Sequence, residues 1–415
     1  MAKIQALFDA KAHTVAVHGG EDRPHAYHAL TAPIVQTATY TFSDTHALRA
    51  YVDKRQVRDK YGRYGNPTQR VVEQKLAQLE GGQDALLFPS GMAAVAGALW
   101  ALLSAGDHVA VGAECYKQTR QFTETVLTRF GVEVSSFSPS DLASLEGALR
   151  PNTKLVFVET PSNPFLAVTD LEQLLDLTRP RGIRVVVDST FATPINQRPL
   201  TFGADLVVHS ATKYLSGHND LLAGVVVGSA KGLEPIRKLQ AIQGNTVDPH
   251  NAYLLGRGLK TLPLRIERQN RSALHVARFL EEHPNVLRVY YPGLSNHPSH
   301  AVAQRQMQGF GGVVSFDVKG DNESTARFID ALQVPLIASS FGGVDSLVEQ
   351  TWLISYADLN TAARTSLGIG DNLVRYSVGI EDPDDLVADL DQALAVLASA
   401  KVSGRASISP KRTLS

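Results

Sequence analysis

The sequence predicts an α/β protein, with a mostly parallel, seven-stranded sheet followed by a C-terminal α+β domain. The first observation is a series of short apolar runs at 85–88, 108–111, 132–137, 154–159, 183–188, 206–209 and 224–228. The second is the helical periodicity between several of them, as at 91–103 and 171–179. Continuous apolar strands that alternate with helices describe a sheet covered on both faces. The third is a change of texture after about 255. There, long amphipathic helical patterns at 264–282 and 325–331 mix with strand patterns at 311–317 and 372–378, and a helix closes the chain at 383–400.

Taken in order, residues 1–60 carry few periodic signals, although 33–40 looks extended. They read as an arm that packs on another body, such as a second subunit. Gly and Asn-Pro in KYGRYGNPT, residues 60–68, mark a turn. Arg63 between Tyr61 and Tyr64 is either a surface accident or an anion clamp flanked by phenols. Thr68 is the predicted cap of a helix at 69–80 whose apolar face is Val71, Val72, Leu76 and Leu79, and Gly81-Gly82 ends it. FPSGMAA, residues 88–94, takes the chain from a strand into a helix, so its amides offer a phosphate site at the positive helix end. No Gly-Lys-Ser/Thr follows, so it is not a Walker A loop. The predicted α/β domain runs over 61–255 and the α+β domain over 256–400. KVSGRASISPKRTLS, residues 401–415, reads as a loose polar tail.

The bulk composition narrows the function. The chain has 415 residues, 44% hydrophobic and 20% charged, with a formal net charge of −1. This near-neutral balance argues against nucleic acid or an acidic membrane surface as a partner. The lone cysteine, Cys115, cannot form an internal disulfide, which fits a reducing compartment. The N-terminus lacks the long apolar segment of a secretory signal, and no run reaches the ~18 apolar residues of a membrane span. A cytoplasmic location is expected. His13 and His18 lack the i, i+4 spacing of a helical metal pair, and no metal site is expected.

Several strands end in polar residues: Glu159-Thr160-Pro161-Ser162-Asn163-Pro164, Asp188-Ser189-Thr190 and Ser210-Ala211-Thr212-Lys213. Carboxyl ends of strands in an open α/β sheet are where ligands bind. Each residue has an ordinary explanation alone: a solvated lysine, a capping Asp, a turn-forming Asn. Together they meet the needs of an aldehyde cofactor with a phosphate and a pyridine ring. Lys213 supplies an amine for a Schiff base, and Gly91, Met92, Ser210 and Thr212 supply donors for the phosphate. Asp188 supplies an acid for the ring nitrogen, and Tyr116 a face to stack on.

SATKYLSGHNDLLAG, residues 210–224, resembles the lysine signature of the Cys/Met-metabolism (transsulfuration) family of pyridoxal-phosphate (PLP) enzymes. YGRYGNPT, FPSGMAA, ETPSNP, VVVDSTFATP and NLVRYSVGIED match in order, so the resemblance covers essentially the whole chain. Within the family, RYGNPT, STFATPINQ and RQMQGFGGVVSF are most similar to the plant-type cystathionine γ-synthases. The resemblance implies a fold-type I, aspartate-aminotransferase-like architecture. It makes Lys213 the Schiff-base lysine and proton shuttle, and Asp188 the partner of the ring nitrogen. Tyr116 becomes the stacking ring and the base for the substrate ammonium, and Asn163 the contact to the ring hydroxyl. Arg375 becomes the substrate-carboxylate clamp, helped by Ser340. Tyr61 and Arg63 would reach the phosphate of a neighbouring subunit, with Tyr61 sharing in catalysis, in a homotetramer built as a dimer of dimers. The substrates are small amino acids, and the reaction is γ-substitution or γ-elimination. A synthase joins an activated homoserine ester to cysteine; the alternative, a γ-lyase, cleaves an amino acid of methionine, cystathionine or canavanine type.

The match departs from the family pattern in three places. Lys117-Gln118 stands where the plant-type enzymes carry two cations, Asp345 replaces a Glu, and Thr351-Trp352 replaces Pro and a small residue. Gln118, Asp345 and Trp352 are therefore expected at the substrate side of the site, although a Trp more commonly fills core.

Overall fold

The computed structural model describes residues 10–357 and 359–399. Seven strands form the larger sheet: β1 (Asp84–Phe88), β2 (His108–Gly112), β3 (Glu133–Phe137), β4 (Thr153–Glu159), β5 (Arg184–Asp188), β6 (Leu206–His209) and β7 (Gly224–Gly228). Their spatial order is β1-β7-β6-β5-β4-β2-β3. β7 runs antiparallel to β1 and β6, and the remaining pairs are parallel. Each predicted apolar run in this half is one of these strands. Apart from the edge strand β3, where only Phe137 is buried, the runs are apolar because both faces are covered, so alternate side chains enter different cores. Leu86, Val186, Val208 and Val226 pack under the helices Gly91–Leu102 and Ala230–Gln243, while Val185 and Val187 pack with the helix Leu171–Thr178 on the opposite face.

The second sheet contains β8 (Val286–Tyr290), β9 (Val313–Val318), β10 (Leu336–Ile337), β11 (Leu347–Gln350) and β12 (Leu373–Ser377), in the order β10-β11-β12-β9-β8. The helices Leu262–Glu282, Asn322–Ala331 and Pro383–Ser399 accompany it. β9 and β12 occupy predicted strands. β8, β10 and β11 do not: β8 carries Arg288 and is largely exposed, β10 has two residues, and half of β11 is polar, Glu349 and Gln350. The helix Pro249–Leu259, which contains Gly256 and Gly258, runs unbroken across residues 255 and 256.

The helix Pro67–Glu80 corrects one expectation. Its cap is Asn66, whose side chain accepts the Thr68 N–H at 2.8 Å. Thr68 instead ties down the preceding chain: its hydroxyl accepts the Val35 N–H at 2.9 Å and donates to Pro33 O at 3.2 Å. Asn66 Nδ2 also donates to Val35 O at 2.8 Å. The extended stretch near 33–40 is thus held by the helix entrance, with a single β-bridge between Thr39 and Tyr61. Asn66→Ala is expected to lower stability by roughly 1–2 kcal/mol, read by thermal unfolding. The helices Ala12–His18 and Thr45–Val52 lie within the predicted arm. The tail at 401–415 lies outside the described residues. Among the described residues, no helix is long and apolar enough to cross a membrane.

Candidate active site

The polar ends of β4, β5 and β6 are neighbours in the sheet, with Glu159 opposite Asp188 and Asp188 opposite Val208. They open into a cavity of about 570 Å³ that reaches across to the second sheet. Of the predicted site residues, Lys213, Asp188, Tyr116, Asn163, Gly91, Met92, Ser210, Thr212, Ser340, Arg375 and Gln118 line it.

β6 ends at His209, and a turn closed by the Lys213 N–H on Ser210 O at 3.1 Å carries Lys213 into the cavity. The next residue, Tyr214, is buried and anchors the turn. Its backbone carbonyl accepts from Arg265 Nη1 at 2.7 Å, and its hydroxyl accepts the Gly312 N–H at 3.1 Å. Lys213 Nζ donates to Ser340 Oγ at 2.6 Å. Burial, and then the nearby Arg375, lower its pKa to about 8. Raising the pH through 8 therefore releases a neutral, nucleophilic amine. After the cofactor is stripped, the rate at which added pyridoxal phosphate restores visible absorbance is expected to rise with pH. Its half-maximum should lie near 8, well below an ordinary lysine's.

Asp188 is buried at the end of β5. Thr190 donates to its Oδ1 through the backbone N–H at 3.0 Å and the hydroxyl at 2.5 Å. Burial raises its pKa, and the two Thr190 bonds oppose that rise. Glu159 beside it rises further, first by burial and then by the charge of Asp188. Glu159 Oε2 accepts the Tyr116 N–H at 2.7 Å, which fixes the loop that brings the half-exposed Tyr116 ring to the mouth.

The helix Gly91–Leu102 is capped by Ser90, whose side chain accepts the Ala93 N–H at 3.1 Å. The Gly91 and Met92 amides, in the first turn, have no intrahelical acceptor. A Cβ on Gly91 would lie 2.7 Å from Ser210 Cβ, so only glycine lets this helix end approach β6. The Thr212 hydroxyl bridges the backbone of Ala223, accepting its N–H at 3.0 Å and donating to its carbonyl at 3.2 Å.

On the far wall, Arg375 projects from β12 over the ring of Phe341, 5.6 Å from its centroid. It donates to Asn163 Oδ1 at 3.2 Å, Ser340 O at 3.0 Å and Glu349 Oε2 at 2.9 Å. Ser340 has φ +98°, a left-handed backbone uncommon for a serine, and thereby serves Lys213 with its hydroxyl and Arg375 with its carbonyl.

Four predicted site residues stand elsewhere. Tyr61 and Arg63 lie in an exposed turn away from this cavity, with the Arg63 guanidinium near the rings of Tyr61 and Tyr64. Asp345 is exposed and lines an adjoining opening with Asn219, Asp220 and Asn251. Trp352 is no cavity wall: its Nε1 donates to Asn322 Oδ1 at 3.0 Å, Arg364 sits 4.4 Å from its ring, and it packs beside Tyr356 and Leu373. It stands on the short helix Thr351–Ser355 that follows β11, from which Ile354 and Ser355, with Tyr356 just after, reach the cavity. Two further acids meet site residues without a sequence signal that assigns them a role: Glu159, in the ETPSNP motif, and Glu349, between Val348 and Gln350.

The model of the family described as Cys/Met metabolism PLP-dependent enzyme matches residues 13–395. The chain belongs to this family. It is 49% identical to cystathionine gamma-synthase 1, chloroplastic, of Nicotiana tabacum, over 92% of this chain and 71% of that protein. It is 42% identical to the L-methionine gamma-lyase of Pseudomonas putida, over 92% of this chain and 96% of the relative. The crystal structure of cystathionine gamma synthase from Xanthomonas oryzae pv. oryzae, in complex with aminoacrylate and cysteine, superimposes with a TM-score of 0.89. That pair is 36% identical, and the alignment covers 94% of this chain and 99% of the other. The fold is that of this family of PLP enzymes, and pyridoxal phosphate is its cofactor. The cavity suits that group. It offers one buried carboxylate that accepts two hydrogen bonds from Thr190, one amine lowered toward neutrality, and a helix end that only glycine lets approach Ser210.

Proposed function

We propose that this chain joins an activated homoserine ester to cysteine, forming cystathionine by γ-substitution. The observation that carries this reading is the single cavity in which Lys213, Asp188, Tyr116 and Arg375 converge. The relatives named as cystathionine gamma-synthases support it. Pyridoxal phosphate, when bound, draws electrons from the amino acid's Cα. Asp188 holds the proton of the ring nitrogen, Asn163 meets the ring hydroxyl, and Gly91, Met92, Ser210 and Thr212 hold the phosphate. Arg375 binds the substrate carboxylate, Tyr116 takes the proton of the substrate ammonium, and Lys213 moves the proton at Cα. Gln118, at the cavity wall, faces the γ substituent.

Tyr61 and Arg63, remote from the cavity of their own chain, complete that of a neighbour in a homotetramer built as a dimer of dimers. The stretch up to residue 60 is the arm that contacts that neighbour. The cytoplasm is the proposed location, supported by the single buried cysteine.

Purified enzyme given O-acetyl-, O-succinyl- or O-phosphohomoserine with cysteine is expected to yield cystathionine by mass spectrometry. The kinship with L-methionine gamma-lyase makes γ-elimination the competing reading. Release of 2-oxobutyrate from methionine or cystathionine alone, with no cystathionine made from any ester, would decide for it.

A further inference from the structure

We propose that Glu349 is a built-in competitor for the substrate carboxylate at Arg375, so that substrate binds by displacing it. This rests on the reading of Arg375 as the carboxylate clamp. Glu349 and Arg375 face each other in register on β11 and β12, and both are buried. Opposite charges on adjacent strands attract, and the register sets them in contact whenever the sheet forms.

A guanidinium has five N–H groups in a rigid plane. Both hydrogens of Arg375 Nη2 are taken, one by Ser340 O at 3.0 Å and one by Glu349 Oε2 at 2.9 Å. One hydrogen of Nη1 goes to Asn163 Oδ1 at 3.2 Å. A carboxylate grips a guanidinium with two parallel bonds along one of two edges, Nη1 with Nη2 or Nε with Nη2. Either edge needs an Nη2 hydrogen. A substrate carboxylate must therefore displace Ser340 or Glu349 to be held by two bonds.

Ser340 is the harder to move. Its contact is a main-chain carbonyl, which moves only with the backbone. Glu349 meets Arg375 through a side chain alone, and its other oxygen, Oε1, already accepts from Ser355 Oγ at 3.0 Å, so Oε2 can leave Arg375 while that bond is kept. Glu349 is the group that yields, and its negative charge also repels an incoming carboxylate. It sets substrate affinity without touching the atoms that react. Had Glu349 only braced Arg375, its loss would loosen the clamp and weaken binding, which is the opposite sign.

The test is calorimetric titration of the holoenzyme with butyrate, which has a carboxylate but no amine to react with the cofactor. Glu349→Gln should bind butyrate about tenfold more tightly than the parent. Glu349→Asp, which keeps the charge but withdraws it by one methylene, should fall between the two. KM for the amino-acid substrate should drop in parallel, with kcat little changed. Binding no tighter in both variants, with cofactor absorbance and melting temperature preserved, overturns the proposal. Should Glu349→Gln fail to fold because Arg375 is left buried and unpaired, Glu349→Asp decides alone. Arg375→Ala separates the two readings. If it binds butyrate as well as the parent, the clamp itself is wrong. If it loses butyrate while the Glu349 variants gain nothing, only the competition is wrong.

Discussion

Lys213→Ala is expected to lower turnover by at least roughly 10³-fold, because the proposed function makes the same amine both covalent anchor and proton carrier at Cα. The fold should survive. Lys213 reaches the cavity by its side chain alone, and its backbone turn is held by the Tyr214 anchors. Borohydride reduction followed by peptide mass mapping gives an independent readout. In the parent it should fix the cofactor to Lys213, and in the variant it should leave the chain unlabelled. Partial recovery with added methylamine would show that the missing amine is the cause. A variant that keeps more than about a tenth of the parent rate would remove Lys213 from the chemistry.

Asp188→Asn should cost about 10²–10³-fold in kcat. An amide still fits beside Thr190, so packing and the bond from the Thr190 N–H to the side-chain oxygen are kept. What disappears is the acid that the proposed function sets against the ring nitrogen, whose proton lets the ring draw electrons from Cα. Because Glu159 stands opposite Asp188 on the next strand, the loss of that acid also removes one cause of the high Glu159 pKa. The absorbance spectrum of the bound cofactor should shift along with the rate. An unchanged spectrum with an unchanged kcat would place the acid elsewhere.

Much of this was legible in the chain itself. Runs of the right length located all seven strands of the large sheet; except for the edge strand β3, these strands are buried on both faces and have no solvent side to dilute their Val and Leu. The Ser-Ala-Thr-Lys stretch after β6 and the Asp that ends β5 marked the site, because carboxyl ends of neighbouring strands meet whatever the loops do. The elements that escaped were exposed, short, half polar or interspersed with glycine, as β8, β10, β11 and the helix Pro249–Leu259 show.

The three departures from the family pattern met different fates, and only Gln118 lines the cavity. Trp352 and Asp345 are as close in sequence to the substrate wall as Ser355 and Ser340 are. Which of them faces the cavity depends on the turn of a five-residue helix and a left-handed serine, and neither leaves a periodic trace in the sequence. The sequence by itself determined the fold class, the cofactor and the residues at the strand ends, because strand length and local motifs are short-range properties. Only the tertiary structure decided that Arg375 meets Glu349. That contact follows from the register between two strands separated by more than twenty residues, and pairing across that distance is encoded by packing and not by any local pattern.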